Sequence, residues 1–280
     1  SDEVENAASL SEVEDLYRPY RPKRKTRASV AKEKGLEPLA LTILKQEETD
    51  PAALAQPYVS AEKGIDTVTE ALQGASDILA ELVSDDAAVR KLVRAESIRT
   101  GETLSKATEE ARTKEEQEEK SVYGMYFDFA EPVRKIAGHR VLALDRGERE
   151  GQLKVRIQVD AAEICRRIQQ RYVKRSNACG DIVAAACDDA YDRLIAPSIE
   201  REIRSELTEK ASEQAIRVFA ENLRQLLMQP PVKGAVTLGL DPAYRTGCKI
   251  AVVDGTGKVL DTAVVYPTPP QNKVEEAKKK

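Results

Sequence analysis

The sequence has few of the residues that build metal centres and disulfide frameworks. It contains one histidine, His139, and four cysteines, none of which lies in a C-x-x-C pair. Structural zinc sites take about four such ligands at close spacing, and disulfide frameworks pair the cysteines of secreted chains. We therefore expect no metal, no cofactor and no disulfide. We assign no catalytic role to His139, because no nucleophile is evidently paired with it.

Aromatic residues and long apolar runs are scarce as well. Aromatics make up 4% of the chain and tryptophan is absent. No apolar run approaches the roughly 18 residues of a membrane span, and the acidic N-terminus does not resemble a secretory signal. Together with the free thiols, this predicts a cytoplasmic protein without a membrane partner.

The residues that are abundant favour helices. Of the 280 residues, 41% are hydrophobic and 33% are charged, which is typical of helical proteins with solvated charged faces. The length allows about two domains and a sizeable core. The formal net charge is −4, so an anionic partner would have to be bound by a local basic patch.

Start and stop signals of short helices occur throughout the first hundred residues. Ser29 is a candidate helix cap with Gly35 as the stop, and Thr67 begins a capping box with Glu70. Residues 109–120 are nearly all charged, which indicates a solvated helix face or a connector. We therefore predict a first, helical domain over residues 1–118.

Residues 119–231 predict a second helical region with a short β element. An aromatic cluster, residues 123–129, is expected to form a local core, and residues 153–159 alternate like a half-buried strand. Asp160 begins another capping box. Apolar residues at four-residue steps then predict one long helix over residues 198–228, which two prolines end.

After residue 231 the apolar period changes from 3.6 to 2. Residues 235–240, 248–254 and 259–266 predict a three-stranded meander, which we expect to begin a larger α/β domain over residues 232–280. The segment from Gly255 to Lys258 is predicted to be a tight turn. It is not a phosphate-binding loop, because one residue separates its glycines and a strand follows.

The densest basic cluster lies near the N-terminus, over residues 18–27. It contains Pro19, Tyr20 and Pro22, and Tyr17 directly precedes it. Lysine and arginine neutralise phosphates, and tyrosines can stack on bases. An equally supported alternative is a solvated linker that packs Tyr17 and Tyr20 on neighbouring helices. The candidate nucleic-acid-binding residues are Arg18, Arg21, Lys23, Arg24, Lys25 and Arg27.

Asp241 follows the first predicted strand of the meander, where an RNase H-like fold places its first metal ligand. Two-metal hydrolysis needs several converging carboxylates, because one cannot hold both cations. Asp254 and Asp261 are predicted to be turn residues. We therefore assign no metal ligand and no catalytic residue in this chain.

Several collinear motifs resemble the Tex family of transcription accessory proteins. They are LYRPYRPKRKTRA (residues 16–28), YFDFAEP (126–132), HRVLALDRGE (139–148) and LGLDPAYRTG (238–247). The last resembles the opening of that family's YqgF-type, RNase H-like domain. This sequence has Ala243 where the family pattern usually has glycine, which makes a ligand-binding role of that loop less expected.

The resemblance implies a bacterial, cytoplasmic scaffold that is linked to transcription and binds RNA or DNA with low sequence specificity. It also implies domains that this sequence does not contain: the rest of the YqgF-like domain, helix-hairpin-helix elements and a C-terminal RNA-binding domain. One alternative is an RNase H-like, metal-dependent nuclease in the intact protein. Another is a protein-binding scaffold that docks on RNA polymerase or other transcription machinery.

Overall fold

The computed structural model describes residues 5, 7, 10–21, 25–116, 121–230, 234–243 and 245–279. The chain divides into two compact units, Ser1–Ala215 and Ile216–Lys280. The first is helical with a small sheet, and the second is built around a separate sheet. This confirms the predicted fold class, a mainly helical chain followed by a three-stranded meander. The predicted three-way division at residues 118 and 231 stays a prediction.

The α-helices that begin in the first unit are mostly short, and the last of them continues into the second unit. None of the helices in the described ranges combines the length and apolar content that crossing a lipid bilayer requires. A π-helical segment, Ala190–Ile195, joins the last two of them. The helices are α1 (Leu10–Tyr17), α2 (Arg27–Glu33), α3 (Glu37–Lys45), α4 (Pro51–Ala55), α5 (Val68–Asp85), α6 (Ala87–Thr100), α7 (Glu109–Glu116), α8 (Gly138–Arg149), α9 (Ala161–Tyr172), α10 (Ala178–Asp189) and α11 (Ala196–Leu227).

Side-chain caps explain where many of these helices begin. Thr67 and Asp160 accept hydrogen bonds from the backbone N–H groups three residues later, as the sequence predicts. The expected cap at Ser29 is wrong, because α2 begins one turn earlier at Thr26. Thr26 and Ser29 each accept a hydrogen bond from the other's backbone N–H, so Ser29 closes the capping box instead of opening the helix.

Helix α5 lies at the centre of the first unit. It packs against α2, α3, α4 and α10, and its inward face carries Ala71, Ala75, Ile78, Leu79 and Val83. The alanines let neighbouring backbones approach closely, while the larger residues fill the space between the helices. Buried residues on both sides of residue 118 join this one core.

The small sheet of the first unit contains three antiparallel strands in the order β2-β1-β3. They are β1 (Glu102–Ala107), β2 (Asp128–Pro132) and β3 (Leu153–Gln158), of which the sequence predicted only β3. Strand β1 was not predicted because its inward residues are Thr103, Ser105 and Ala107. Small and polar inward side chains hide the apolar alternation that identifies a strand.

A second, smaller core lies against this sheet. Tyr123, Tyr126 and Phe127 are buried there with Leu144 and Leu153, which confirms that the aromatic cluster forms a local core. The ring of Phe129 meets that of Tyr126 edge to face, with centroids 5.4 Å apart.

The predicted long helix is present as α11, from Ala196 to Leu227. Only the first half of its apolar stripe is covered: Ile199 and Ile203 are buried, whereas Phe219 is 66% exposed and Leu227 is 73% exposed. The four-residue period therefore continues beyond the part of the helix that packs on the core.

The second unit contains an antiparallel meander in the order β4-β5-β6, as predicted. Its elements are β4 (Thr237–Asp241), β5 (Cys248–Val253), β6 (Val259–Val265) and a short helix, α12 (Val274–Lys279). The β5–β6 connection is the predicted tight turn. The Asp254 carboxylate accepts hydrogen bonds from the backbone N–H groups of Thr256 and Lys258 and from the Thr256 hydroxyl.

A buried cluster of charges ties the N-terminal helix to the long helix. Arg90 on α6 is fully buried and donates hydrogen bonds to Asp15 on α1 and Glu202 on α11. Arg94, one turn later, pairs with the same two carboxylates at 2.8 and 2.7 Å. The planar, forked guanidinium groups can each serve two acceptors, so two arginines hold two carboxylates from different helices.

A buried glutamine makes a second long-range polar contact. Gln46, directly after α3, is fully buried in the left-handed conformation (φ 56°). Its side-chain amide donates to the Tyr172 carbonyl at 2.8 Å and accepts from the backbone N–H groups of Lys174 and Arg175 at 2.7 and 3.0 Å. The loop between α9 and α10 is thereby fixed to the end of α3.

Replacing Arg90 should destabilise the first unit strongly. Arg90→Ala leaves the carboxylate of Asp15 buried with one fewer cation, and breaking a buried pair in this way costs about 3–5 kcal/mol. Urea denaturation measures the loss. Lys91→Ala is the matched control, because Lys91 pairs with Glu12 at 71% side-chain exposure and such pairs contribute about 0–1 kcal/mol. Equal losses in the two variants would contradict the importance of the buried cluster.

Gln46→Ala should also destabilise the protein, by about 2–4 kcal/mol, because backbone N–H and C=O groups lose their buried partner. The exposed neighbour Glu47 provides the control variant, Glu47→Ala, for which we expect a change within about 0.5 kcal/mol. The free energy of unfolding from urea titration checks both values. A Gln46 variant as stable as the control would show that water replaces the amide.

Candidate nucleic-acid interface

The predicted basic segment lies between α1 and α2. Arg18 and Tyr20 belong to one 3-10 turn, Arg18–Tyr20, and Arg21 follows it. Arg21, Lys25 and Arg27 are exposed, whereas Lys23 and Arg24 lie outside the described residues.

The two tyrosines beside the segment also face solvent. Tyr17 is 56% exposed and Tyr20 is 79% exposed, so neither is packed into the helices. This exposure does not support the alternative in which the segment is a linker that buries its tyrosines. It leaves both rings accessible to a stacking partner.

Three carboxylates of α5 form a stripe beside the basic segment. Asp77, Glu81 and Asp85 follow one another at four-residue steps and therefore lie on one face of the helix. We call them the acid stripe. Each pairs with a cation from a different part of the chain: Asp77 with Arg193 at 3.8 Å, Glu81 with Lys32 at 3.4 Å, and Asp85 with Arg18 at 3.3 Å.

The acid stripe and the basic segment together line a cavity of about 470 Å³, which we call the acid-lined cavity. Arg18, Arg21, Arg27 and Arg193 contribute its positive charges. Arg193 is further engaged by Asp189, whose pKa is lowered chiefly by its hydrogen bonds from Arg193. Two of the four arginines, Arg18 and Arg193, are therefore compensated by carboxylates.

Another group of cations lies on α9 and on the loop after it. Those on the helix are engaged with carboxylates. Arg166 and Arg167 donate to Glu163, and these bonds, chiefly those from Arg166, lower the pKa of the Glu163 carboxyl to about 2. Arg171 pairs with Asp86 at 3.0 Å. Lys174 and Arg175 are exposed on the loop that Gln46 fixes.

The candidate metal ligand Asp241 is the last residue of β4 and is exposed. Asp254 serves the β5–β6 turn, where the Thr256 hydroxyl lowers its pKa. The prediction of Asp261 as a turn residue is wrong, because it lies within β6 opposite Val252, where its carboxylate accepts a hydrogen bond from the N–H of Thr262. Within the described ranges, no three or more His, Cys, Asp or Glu side chains are grouped closely enough to hold a metal ion.

The histidine and the cysteines are the other potentially reactive groups. His139 is exposed on α8, and the cysteines are free thiols. Burial raises the pKa of Cys165 and of Cys187 to about 12, so both remain protonated and are poor nucleophiles at neutral pH.

Sequence reasoning missed the part played by the acid stripe. The four-residue spacing of Asp77, Glu81 and Asp85 is visible in the sequence and indicates a shared helix face. Their partners lie more than 40 residues away along the chain, so only the tertiary structure reveals which cations they neutralise.

Family models and individual relatives match nearly the whole chain. The Tex central region-like model matches residues 46–219, and the Tex protein YqgF-like domain model matches residues 235–280. The uncharacterized protein YdcI of Bacillus subtilis is 51% identical over 99% of this chain, and the transcriptional accessory protein Tex of Neisseria gonorrhoeae is 38% identical over 94%. The human S1 RNA-binding domain-containing protein 1 is 32% identical over 93%.

The chain spans only part of each relative: 38% of the Bacillus protein, 35% of the Neisseria protein and 27% of the human protein. The matches run through the central helical region and the opening of the YqgF-like domain in the order that the motifs predict. Because the central-region model alone covers more than half of the residues, the chain belongs to the Tex family of transcription accessory proteins.

Proposed function

We propose that this chain is a non-catalytic, nucleic-acid-binding part of a cytoplasmic transcription accessory scaffold. Its partners are RNA, DNA or both, bound with low sequence specificity. The observation that carries the proposal is the exposure of Arg21, Lys25 and Arg27 on one short segment of the helical unit. The second unit is proposed to be the opening of an RNase H-like domain.

The chemistry of the segment supports contacts with the nucleic-acid backbone rather than with base edges. Lysine and arginine side chains that neutralise phosphates release counterions, which gives affinity without sequence information. The exposed rings of Tyr17 and Tyr20 add a surface on which bases can stack irrespective of their identity.

The names of the relatives agree with this proposal. One is called a transcriptional accessory protein, and another is called an S1 RNA-binding domain-containing protein. Each name belongs to a whole protein of which this chain matches a minor part. We therefore expect the binding by this chain alone to be weak and sensitive to salt.

Filter binding of single-stranded RNA and of DNA across a salt series tests the proposal. The variant carries glutamine at Arg21, Lys23, Arg24 and Lys25. If all four cations contact phosphates, the slope of log affinity against log salt should fall by about three, because each contact contributes about 0.7–0.9 to it.

The matched control removes four positive charges elsewhere on the helical unit, at Lys91, Arg99, Arg146 and Arg166. Each of these side chains is more than half exposed and is paired with a carboxylate. The control should keep the salt slope of the unaltered chain. Equal slopes in all three proteins would remove the basic segment from the binding surface.

The alternative of a metal-dependent nuclease depends on Asp241, which is exposed at the end of β4, where a metal could reach it. Two-metal chemistry requires further carboxylates beside it. We expect Asp241→Asn in the intact protein to leave nucleic-acid binding unchanged. Mg²⁺- or Mn²⁺-dependent cleavage that disappears in this variant would support the nuclease instead.

The alternative of a purely protein-binding scaffold, docking for example on RNA polymerase, is favoured by the pairing of Arg18 with Asp85. A chain that binds polymerase in a pull-down but retains no nucleic acid at low salt would support it over the present proposal.

A further inference from the structure

A groove lies next to the acid-lined cavity and shares Thr26, Arg27 and Asp77 with it. It has a volume of about 540 Å³, which is within the range of about 300–1,000 Å³ typical of ligand sites. Lys25, Arg27 and Lys34 line it, so we call it the lysine groove. Arg27 borders both the groove and the cavity.

Two tight turns and one close helix contact shape the lysine groove. The Lys34 ammonium donates to the Gly64 carbonyl at 2.6 Å, which holds the turn after α2 against the turn before α5. Gly35 and Gly64 take left-handed conformations (φ 84° and 64°) that other residues adopt with difficulty. Gly74 on α5 allows a close contact with Leu36, because a Cβ at this position would come within 2.4 Å of the Leu36 side chain.

The positive charges of the groove are less compensated than those of the cavity. Among the residues that the structure describes, no ion pair engages Lys25, Arg27 or Lys34, although Arg27 lies near enough to Asp189 to help lower the pKa of that carboxyl.

Two carboxylates also line the groove, and both are already engaged. The Glu70 carboxylate accepts a hydrogen bond from the Asp66 N–H at 2.7 Å and lies in the first turn of α5, where the helix dipole partly offsets its charge. Asp77 pairs with Arg193 on the side of the acid-lined cavity. The groove therefore keeps a net positive charge.

Part of the surface between these cations, away from Glu70 and Asp77, is uncharged. Val30, Gly64 and Gly74 form part of it, so sugars and bases can approach without losing polar contacts. A single strand exposes phosphates on one side and unstacked bases on the other, whereas a duplex buries its base faces. Cations around an uncharged surface therefore suit a single strand better.

We propose that the lysine groove is where this chain contacts single-stranded nucleic acid, and that the acid stripe keeps the cations with which it is paired from taking part in that contact. The inference rests on the proposed function and narrows it to one face. Lys25, Arg27 and Lys34 contact phosphates, while Arg18, Lys32 and Arg193 stay bound to Asp85, Glu81 and Asp77.

The test compares two triple variants with the same loss of charge, using a short single-stranded RNA of mixed sequence and a salt series. The groove variant is Lys25→Gln, Arg27→Gln and Lys34→Gln. The paired variant is Arg18→Gln, Lys32→Gln and Arg193→Gln. The groove variant should lower the salt slope by about two, at about 0.7 for each single-strand phosphate contact, and the paired variant should leave it unchanged.

The outcomes separate this inference from the proposed function. A loss of slope confined to the paired variant, or equal in both variants, would overturn the inference. If neither triple variant changes the slope but neutralising Arg21, Lys23, Arg24 and Lys25 does, the inference fails and the proposed function stands. If that variant is also without effect, both fail.

A double variant separates the effect on binding from an effect on folding, and a duplex tests the preference for single strands. The double variant Lys25→Gln and Arg27→Gln retains the Lys34–Gly64 hydrogen bond and should lower the slope by about 1.4 with an unchanged circular dichroism spectrum. An equal loss of affinity for a duplex of the same sequence would overturn the assignment to single strands.

The acid stripe can be tested in the opposite direction. Glu81→Gln with Asp85→Asn removes the acid-stripe partners of Lys32 and Arg18 and leaves Lys32 only the longer, exposed pair with Glu37 at 4.0 Å. If the stripe withholds these cations, the variant should bind more tightly and show a steeper salt slope. An unchanged slope in a folded variant would overturn that part of the inference.

Discussion

The packing of helix α5 is the constraint on which the rest of the helical unit depends. Its alanine-rich face lets α2, α3, α4 and α10 approach closely, and a Cβ at Gly74 would clash with the Leu36 side chain. The same helix carries the acid stripe on a neighbouring face. One element therefore sets both the spacing of the core and the charge environment of the basic segment.

Long-range polar contacts extend this arrangement to the parts of the chain that α5 does not reach. The arginines of α6 hold α1 to α11 through two shared carboxylates, and Gln46 fixes the loop between α9 and α10. Buried polar groups are stable only when their partners are in place, so these contacts specify one arrangement of the helices. The basic segment lies directly after α1, and its position therefore follows from the buried arginine cluster.

The functional proposal depends on how charges are distributed more than on how many there are. The net charge of the chain is −4, and many of its arginines are held by nearby carboxylates. Cations that already have carboxylate partners gain little from phosphate, because binding would exchange one ion pair for another. A small number of uncompensated cations beside an uncharged surface can therefore determine where a nucleic acid binds.

The sequence by itself determined the features that depend on neighbouring residues. The helix caps at Thr67 and Asp160, strand β3, helix α11, the meander and the family motifs were all readable, because each is encoded in a short local pattern. Tertiary structure alone decided the rest. Strand β1 has small and polar inward residues that only its partner strands make recognisable. The cap at Thr26 is an exception, because its hydrogen bonds with Ser29 are local and follow a sequence pattern. The pairing of the acid stripe and the shape of the lysine groove join residues far apart in the chain, and such contacts leave no periodic signal.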